Sequence, residues 1–103
     1  IVFSEVKHSA DSYGNVIFEH IDFCKNVPEQ ICEVLYNYEI QSVIIEGGAQ
    51  ILQSFIDVNL WDEAFVFVGN LKFNEGLKAP KLKKVPCEIR KISDDTLSVY
   101  KNN

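Results

Sequence analysis

The arrangement of apolar and polar positions changes abruptly near residue 48, and this change marks the most informative stretch of the chain. Residues 43–45 form an unbroken run of β-branched side chains, which is typical of a strand buried on both faces in a parallel sheet. Further along, the apolar residues recur at the spacing of one helix face: Ile51, Leu52, Phe55 and Ile56. The pattern predicts a strand that runs directly into a helix.

Two strands and a helix are predicted before this junction. Residues 1–4 predict a buried strand, and residues 16–23 predict a second strand with a more exposed face. Residues 11–15 have the composition of a turn. Asn26 and Pro28 mark a helix start, since one side chain can cap the helix and the other fits its first turn. The apolar residues that follow lie on one helix face: Ile31, Val34, Leu35 and Tyr38.

The apolar run at residues 64–68 predicts a strand after the second helix. Together with residues 43–45, it predicts a βαβ unit with a right-handed crossover between parallel strands. Residues 71–84, which include several lysines, predict an exposed loop. Residues 85–92 and 96–101 flank an acidic turn and predict an antiparallel hairpin. The sequence therefore predicts an α/β fold: a mixed, mainly parallel sheet flanked by helices, with an antiparallel C-terminal hairpin.

Composition limits the possible functions. The chain has 103 residues and 47% apolar content, which is sufficient for one domain, residues 1–103, but not for a second. Acidic residues outnumber basic ones by 15 to 10, and the net charge of −5 argues against a nucleic-acid partner. No apolar run approaches a membrane span and no signal-peptide pattern is present, so we predict a cytoplasmic protein without membrane contact. Because the chain lacks methionine and begins with Ile1, we expect it to be part of a longer translation product.

The cysteine and histidine residues give no sign of a metal site. Cys24, Cys32 and Cys87 are odd in number and lack C-x-x-C spacing, which argues against both zinc and a disulfide framework. His8 and His20 have no partner at a ligand-like spacing. We therefore predict free thiols in a reducing compartment and no bound metal.

The pair Gly47-Gly48 is the strongest candidate for a binding site. Paired glycines let a ligand approach the backbone closely, and the free N–H groups of the following helix turn favour phosphate. A tight turn needed only for packing would use the same residues. Glu46 would repel an anion, so we expect it to contact hydroxyl or amine groups of a second ligand. Capping of the helix by this carboxylate is the alternative.

The order of motifs across residues 43–68 resembles a known family. An apolar strand is followed by Glu46-Gly47-Gly48, a helix with the pair Ser54-Phe55, and the step Leu60-Trp61-Asp62-Glu63. This order resembles the C-terminal reductase domain of the bifunctional riboflavin-biosynthesis deaminase/reductase, which has a dihydrofolate-reductase-like fold. Residues 1–4 resemble, more loosely, the strand beside the adenosine end of that family's cofactor.

The resemblance implies NADPH-dependent reduction of a ribosylamino-pyrimidine phosphate to its ribitylamino product. It places Gly47, Gly48 and the amide of Ala49 against the pyrophosphate of the cofactor. It also places Glu46 near the substrate ribose, and Ser4 near the adenosine ribose or its 2′-phosphate. Hydride transfer belongs to the cofactor, so the residues of the protein would position the reactants.

Two departures from the family bear on activity. Residues 69–73 and 76–80 stand where many relatives have an Ala-Pro and a glycine-rich loop, and the family's reductase domain is about twice as long on the usual domain scale. Its N-terminal half and the zinc-containing deaminase domain are missing from this sequence. The resemblance therefore implies a C-terminal half that retains part of a nucleotide site and has little or no activity alone.

Two other functions are compatible with the sequence. One is a non-catalytic assembly module, in which a second copy or a partner domain completes an exposed sheet edge. Unpaired strand edges invite such pairing, and we expect a homodimer. The other is a related NADPH reductase that acts on a different substrate, such as dihydrofolate, because a fold does not determine the substrate.

Overall fold

The structure is a computed structural model that describes residues 1–7 and 14–103, which form two compact units, residues 1–45 and 46–103. His8 and most of the predicted turn at residues 11–15 lie outside the described residues. The described strands and helices are, in chain order, β1 (Val2–Ser4), β2 (Phe18–His20), α1 (Val27–Asn37), α2 (Ala49–Asp57), β3 (Glu63–Val68), β4 (Glu88–Ile92) and β5 (Asp95–Lys101). Neither of these helices has the length and apolar character needed to cross a membrane. The predicted α/β class is confirmed.

The first unit contains a short parallel pair, β1 with β2, in which Val2 lies opposite Phe18. Backbone hydrogen bonds extend the pairing at both ends. The Val2 N–H donates to the Ile17 carbonyl at 2.7 Å, and the Ile21 N–H donates to the Ser4 carbonyl at 3.0 Å. Ile21 is only 2% exposed and is the most buried apolar side chain among the described residues of this unit. Both predicted N-terminal strands are thus confirmed, although both are shorter than expected and β1 is more exposed than the buried strand that was predicted.

Helix α1 begins where the sequence predicts. The side-chain oxygen of Asn26 accepts a hydrogen bond from the Glu29 N–H at 3.2 Å, and Pro28 is buried in the first turn. The side chain of Gln30 is hydrogen-bonded to the segment that precedes the helix. Its oxygen accepts from the Asp22 N–H and its amide donates to the Asp22 carbonyl, both at 2.8 Å. The first bond pairs the Asp22 N–H, and the second adds to a carbonyl that also accepts from the Lys25 N–H at 3.2 Å.

Strand β5 is the centre of a three-stranded antiparallel sheet in the second unit, with β3 on one side and β4 on the other. Leu97 and Val99 are 6% and 5% exposed. The alternate residues Thr96, Ser98 and Tyr100 are only half-buried, so the strand has one drier and one wetter face. This alternation and the antiparallel hairpin between β4 and β5 are confirmed.

The predicted strand at residues 43–45 is wrong. These residues form no strand, and Val43 and Ile44 are 52% and 83% exposed. The predicted βαβ unit is therefore not formed, because β3 pairs with β5 in antiparallel fashion. Among the described strands only β1 and β2 are parallel, so the sheets are not mainly parallel. A β-branched run favours a strand only where a neighbouring strand supplies hydrogen bonds and packing.

The end of the sheet is bonded to the loop that precedes β3. The Asn102 N–H donates to the Asp62 carbonyl at 2.9 Å, and its side-chain amide donates to the Trp61 carbonyl at 2.8 Å. The same amide donates to the side-chain oxygen of Asn59 at 3.0 Å. Helix α2 comes just before this loop and supplies Phe55, which is 4% exposed. The bonds from Asn102 hold the loop between α2 and β3 near both of its ends, at Asn59 and at Asp62.

Replacing Phe55 by Ala is expected to lower the free energy of unfolding by about 3 to 5 kcal/mol, because the change removes a buried aromatic ring and leaves a cavity. Urea denaturation followed by circular dichroism measures the change. Phe73 is 88% exposed, and Phe73→Ala is the matched control, with an expected change below about 0.5 kcal/mol. Equal effects of the two substitutions would contradict the placement of Phe55 in the core.

Candidate functional site

The two glycines before α2 have different conformations. Gly47 has a φ of +111°, a region that residues with a β-carbon rarely occupy. Gly48 is the N-cap of α2 and has a φ of −62° and a ψ of 148°, which is ordinary extended backbone. The backbone conformation therefore requires glycine at position 47 but not at position 48. Any need for glycine at position 48 has to come from the space around it.

That space is open within the second unit. A β-carbon built on Gly47 or on Gly48 meets no other atom of the unit within 4 Å. No side chain caps the helix, and no acidic residue lies in its first turn. The Leu52 N–H donates to the Gly48 carbonyl at 3.3 Å, so the amides of residues 49–51 precede the first bond of the helix. The arrangement leaves an uncapped helix N-terminus, which carries roughly half a positive charge and favours anions.

Glu46 is exposed and comes one residue before this turn. Within the part of the chain that the structure describes, no hydrogen bond or ion pair involves its carboxylate. The alternative interpretation, in which Glu46 caps α2, is therefore not realised. Contact with the hydroxyl or amine groups of a substrate stays a prediction.

Ser4 lies in the first unit, at the end of β1, whereas the glycine turn and Ala49 lie in the second unit. The Ser4 hydroxyl oxygen accepts a hydrogen bond from the Val6 N–H at 3.1 Å. This bond occupies an acceptor and leaves the hydroxyl proton available as a donor. Ser4 can therefore donate to a phosphate or ribose oxygen, as the sequence resemblance requires, and its role stays a prediction.

A second cluster of polar residues lies at the other end of α2, and the sequence did not single it out as a site. An open cleft of about 510 Å³ is lined there by residues that include Gln53, Asp57, Trp61, Lys81, Lys83 and Lys84. The sequence indicated only a solvated basic loop at these lysines. Their proximity to α2 results from contacts between residues 28 positions apart, which no local pattern reveals.

Within residues 1–7 and 14–103, the potential metal ligands form no recognisable site. Among the described residues, no group of three or more His, Cys, Asp or Glu side chains is placed to hold a metal ion. Cys24, Cys32 and Cys87 are all free thiols. Burial raises the pKa of the Cys32 thiol, which lowers its reactivity as a nucleophile.

Comparison with protein-family models, with curated proteins and with solved structures finds no match to this chain. The resemblance to the riboflavin-pathway reductase therefore depends on the residues of the sequence alone. Function has to be inferred from the chemistry that the two ends of α2 can support.

Substituting Gly47 by Ala is expected to destabilise the second unit by about 1 to 3 kcal/mol, because alanine is strained at this φ. Gly48→Ser is the matched control, since serine tolerates the backbone at that position and is a better N-cap than glycine. Thermal unfolding of the two variants measures the difference. Equal destabilisation by both would contradict the distinction between the two glycines.

Proposed function

We propose that this chain is the C-terminal part of an NADPH-dependent reductase domain of the riboflavin-pathway type, which reduces a ribosylamino-pyrimidine phosphate. The observation that supports this function best is the open N-terminus of α2, which directly follows Gly47 and Gly48 and has no side-chain cap. In such a domain the N-terminal half would supply most contacts to the substrate and the nicotinamide, so residues 1–103 alone would have little or no activity. A cytoplasmic location belongs to the same proposal.

The proposed contacts follow from the chemistry of the turn. A pyrophosphate at Gly48 would accept hydrogen bonds from the amides of the first helix turn, including that of Ala49, and its charge suits the helix dipole. Glu46, which is exposed just before the turn, would accept hydrogen bonds from the ribose hydroxyls of the substrate. A bound nicotinamide would supply the hydride, and these residues would orient the two reactants.

The proposal includes a dihydrofolate-reductase-like sheet in the longer protein. Residues 43–45 are β-branched, and Val43 and Ile44 are more than half exposed. A strand from the N-terminal half of such a domain would give this run hydrogen-bond partners that the described strands do not supply, and would cover its apolar side chains.

Titration of the full 103-residue chain with NADPH tests the cofactor site. We expect saturable binding that Gly48→Asp weakens by about tenfold or more, because a carboxylate would repel the pyrophosphate and occupy its space. Aspartate is a good N-cap, so the helix itself should be preserved. Asn70→Asp, in an exposed segment, adds the same charge elsewhere and should leave binding unchanged. No binding at millimolar NADPH would contradict the retained cofactor site.

The edge of β3 favours a second function, assembly with another copy of the chain. β3 bonds only to β5 among the described strands, and its residues 64–68 are all uncharged. Phe65 and Phe67 are 57% and 66% exposed. The β4 edge differs, because it contains Lys91 and the doubly hydrogen-bonded pair Glu88–Arg90, with N–O distances of 2.6 and 3.0 Å. Charged residues protect an edge from further pairing, and the β3 edge lacks them.

Antiparallel pairing of β3 with β3 of a second copy is compatible with its residues. If Val66 lies opposite itself, each Phe65 faces a Phe67 of the other copy, and Glu63 falls at the end of the ladder. No like charges then meet. Since each aromatic ring buries about 150 to 250 Å² at most, the contact is well below the roughly 800 Å² per partner of a stable interface. The dimer should therefore be weak and concentration-dependent.

Analytical ultracentrifugation over a range of concentrations tests this assembly. Phe67→Lys should abolish the self-association that the unaltered chain shows at high concentration, because a charge would enter the paired edge. Ile89→Lys is the matched control, since Ile89 is 64% exposed and lies on the charged β4 edge. A monomer at all concentrations, or equal effects of the two substitutions, would overturn this assignment.

A further inference from the structure

The cleft at the C-terminal end of α2 is separate from the proposed cofactor site. Its lining includes Gln53 and Asp57 of the helix, and Lys81, Lys83 and Lys84 of the loop before β4. At 1.5 Å per residue, the helix residues that line the cleft, from Gln53 to Asp57, lie about 6 to 12 Å along the helix axis from its first residue, Ala49. A volume of about 510 Å³ is within the range of small-molecule sites. The cleft therefore has room for a ligand of its own.

The charges around the cleft favour an anion. Three lysines and one carboxylate, Asp57, line the cleft, although the chain as a whole has a net charge of −5. None of the three ammonium groups has an acidic partner among the described residues. Asp57 and the helix C-terminus are negative and repel an anion, so a bound anion would lie on the lysine side of the cleft. A concave site lined by one sign of charge concentrates ligands of the opposite sign.

Contacts with Gln53 and Trp61 order the loop that contains Lys81, Lys83 and Lys84, called the lysine loop below, without a ligand. The Gln53 side-chain oxygen accepts from the Lys81 N–H at 2.7 Å, and its amide donates to the Lys81 carbonyl at 3.2 Å and to Asp57 Oδ1 at 2.8 Å. The Lys84 Nζ lies 5.5 Å from the centroid of the Trp61 ring, a cation–π contact. A loop that is already held in place loses less conformational entropy when a ligand binds.

From this geometry we infer that the cleft binds a compact polyphosphate, either inorganic or attached to a small molecule. A di- or triphosphate group has enough oxygens to contact several ammonium groups at once, and such charge-assisted hydrogen bonds are stronger than those between neutral groups. Nucleic acid does not fit the inference, because the chain is acidic overall. This site goes beyond the proposed reductase function and does not depend on it.

Trp61 is the only tryptophan of the chain, so its fluorescence reports directly on the cleft. Titration of the full chain with pyrophosphate at constant ionic strength should give a saturable change in emission. The double variant Lys81→Gln/Lys83→Gln should weaken binding by about tenfold or more, since it removes two ammonium groups. The matched control is Lys72→Gln/Lys78→Gln, which removes the same charge from exposed loop positions outside the cleft lining and should leave binding unchanged. Asp57→Asn keeps the oxygen that Gln53 contacts and should tighten binding.

The other outcomes are equally informative. No saturable change, or equal losses in the two double variants, would overturn the site. Tighter binding of an acidic peptide such as oligoglutamate than of pyrophosphate would overturn the ligand class in favour of a protein partner. Competition of pyrophosphate with ADP, followed by calorimetry, separates the free from the attached polyphosphate. Gly48→Asp should leave the pyrophosphate response intact, so failure of this site and failure of the cofactor site are distinguishable.

Discussion

Hydrogen bonding of β5 along both of its edges is the interaction on which the second unit depends. β5 pairs with β3 over six residue positions and with β4 over five, and its Leu97 and Val99 are among the most buried side chains of the described chain. A central strand satisfies its own backbone groups but leaves one unpaired edge on each outer strand. The outer edges of β3 and β4 therefore both need protection from further pairing. The β4 edge has charged residues for this purpose, whereas residues 64–68 of β3 are uncharged.

The sequence predicted correctly those features that depend on neighbouring residues. Asn26 and Pro28 specify the start of α1 because a cap and a first-turn proline act within a few positions. The turn between β4 and β5 contains Ser93 at a φ of +56°, within the acidic segment that indicated a hairpin. Alternation of Leu97 and Val99 with polar residues likewise fixed the buried face of β5.

The incorrect or missed predictions concern features that depend on residues distant in the sequence. Residues 43–45 have a high intrinsic preference for extended backbone, but a strand also needs a partner, and sequence composition contains no information about whether one is present. The same applies to the candidate site. Gly47 could be identified because a φ of this value strongly favours glycine over other residue types. The cleft at the other end of α2 could not, because Gln53 and the lysine loop meet only in the folded unit.

Helix α2 links the two candidate sites, and its dipole acts on them in opposite ways. At the N-terminus the exposed amides and the positive end of the dipole attract an anion without any charged side chain. At the C-terminus the dipole and Asp57 repel an anion, and the lysines have to overcome both. The end of the helix carries only about half a charge, whereas each exposed ammonium group carries a full charge that is screened over a Debye length of about 8 Å at physiological ionic strength. Binding at the lysine cleft should therefore depend on salt far more steeply than binding at the glycine turn, because only the cleft relies on full charges.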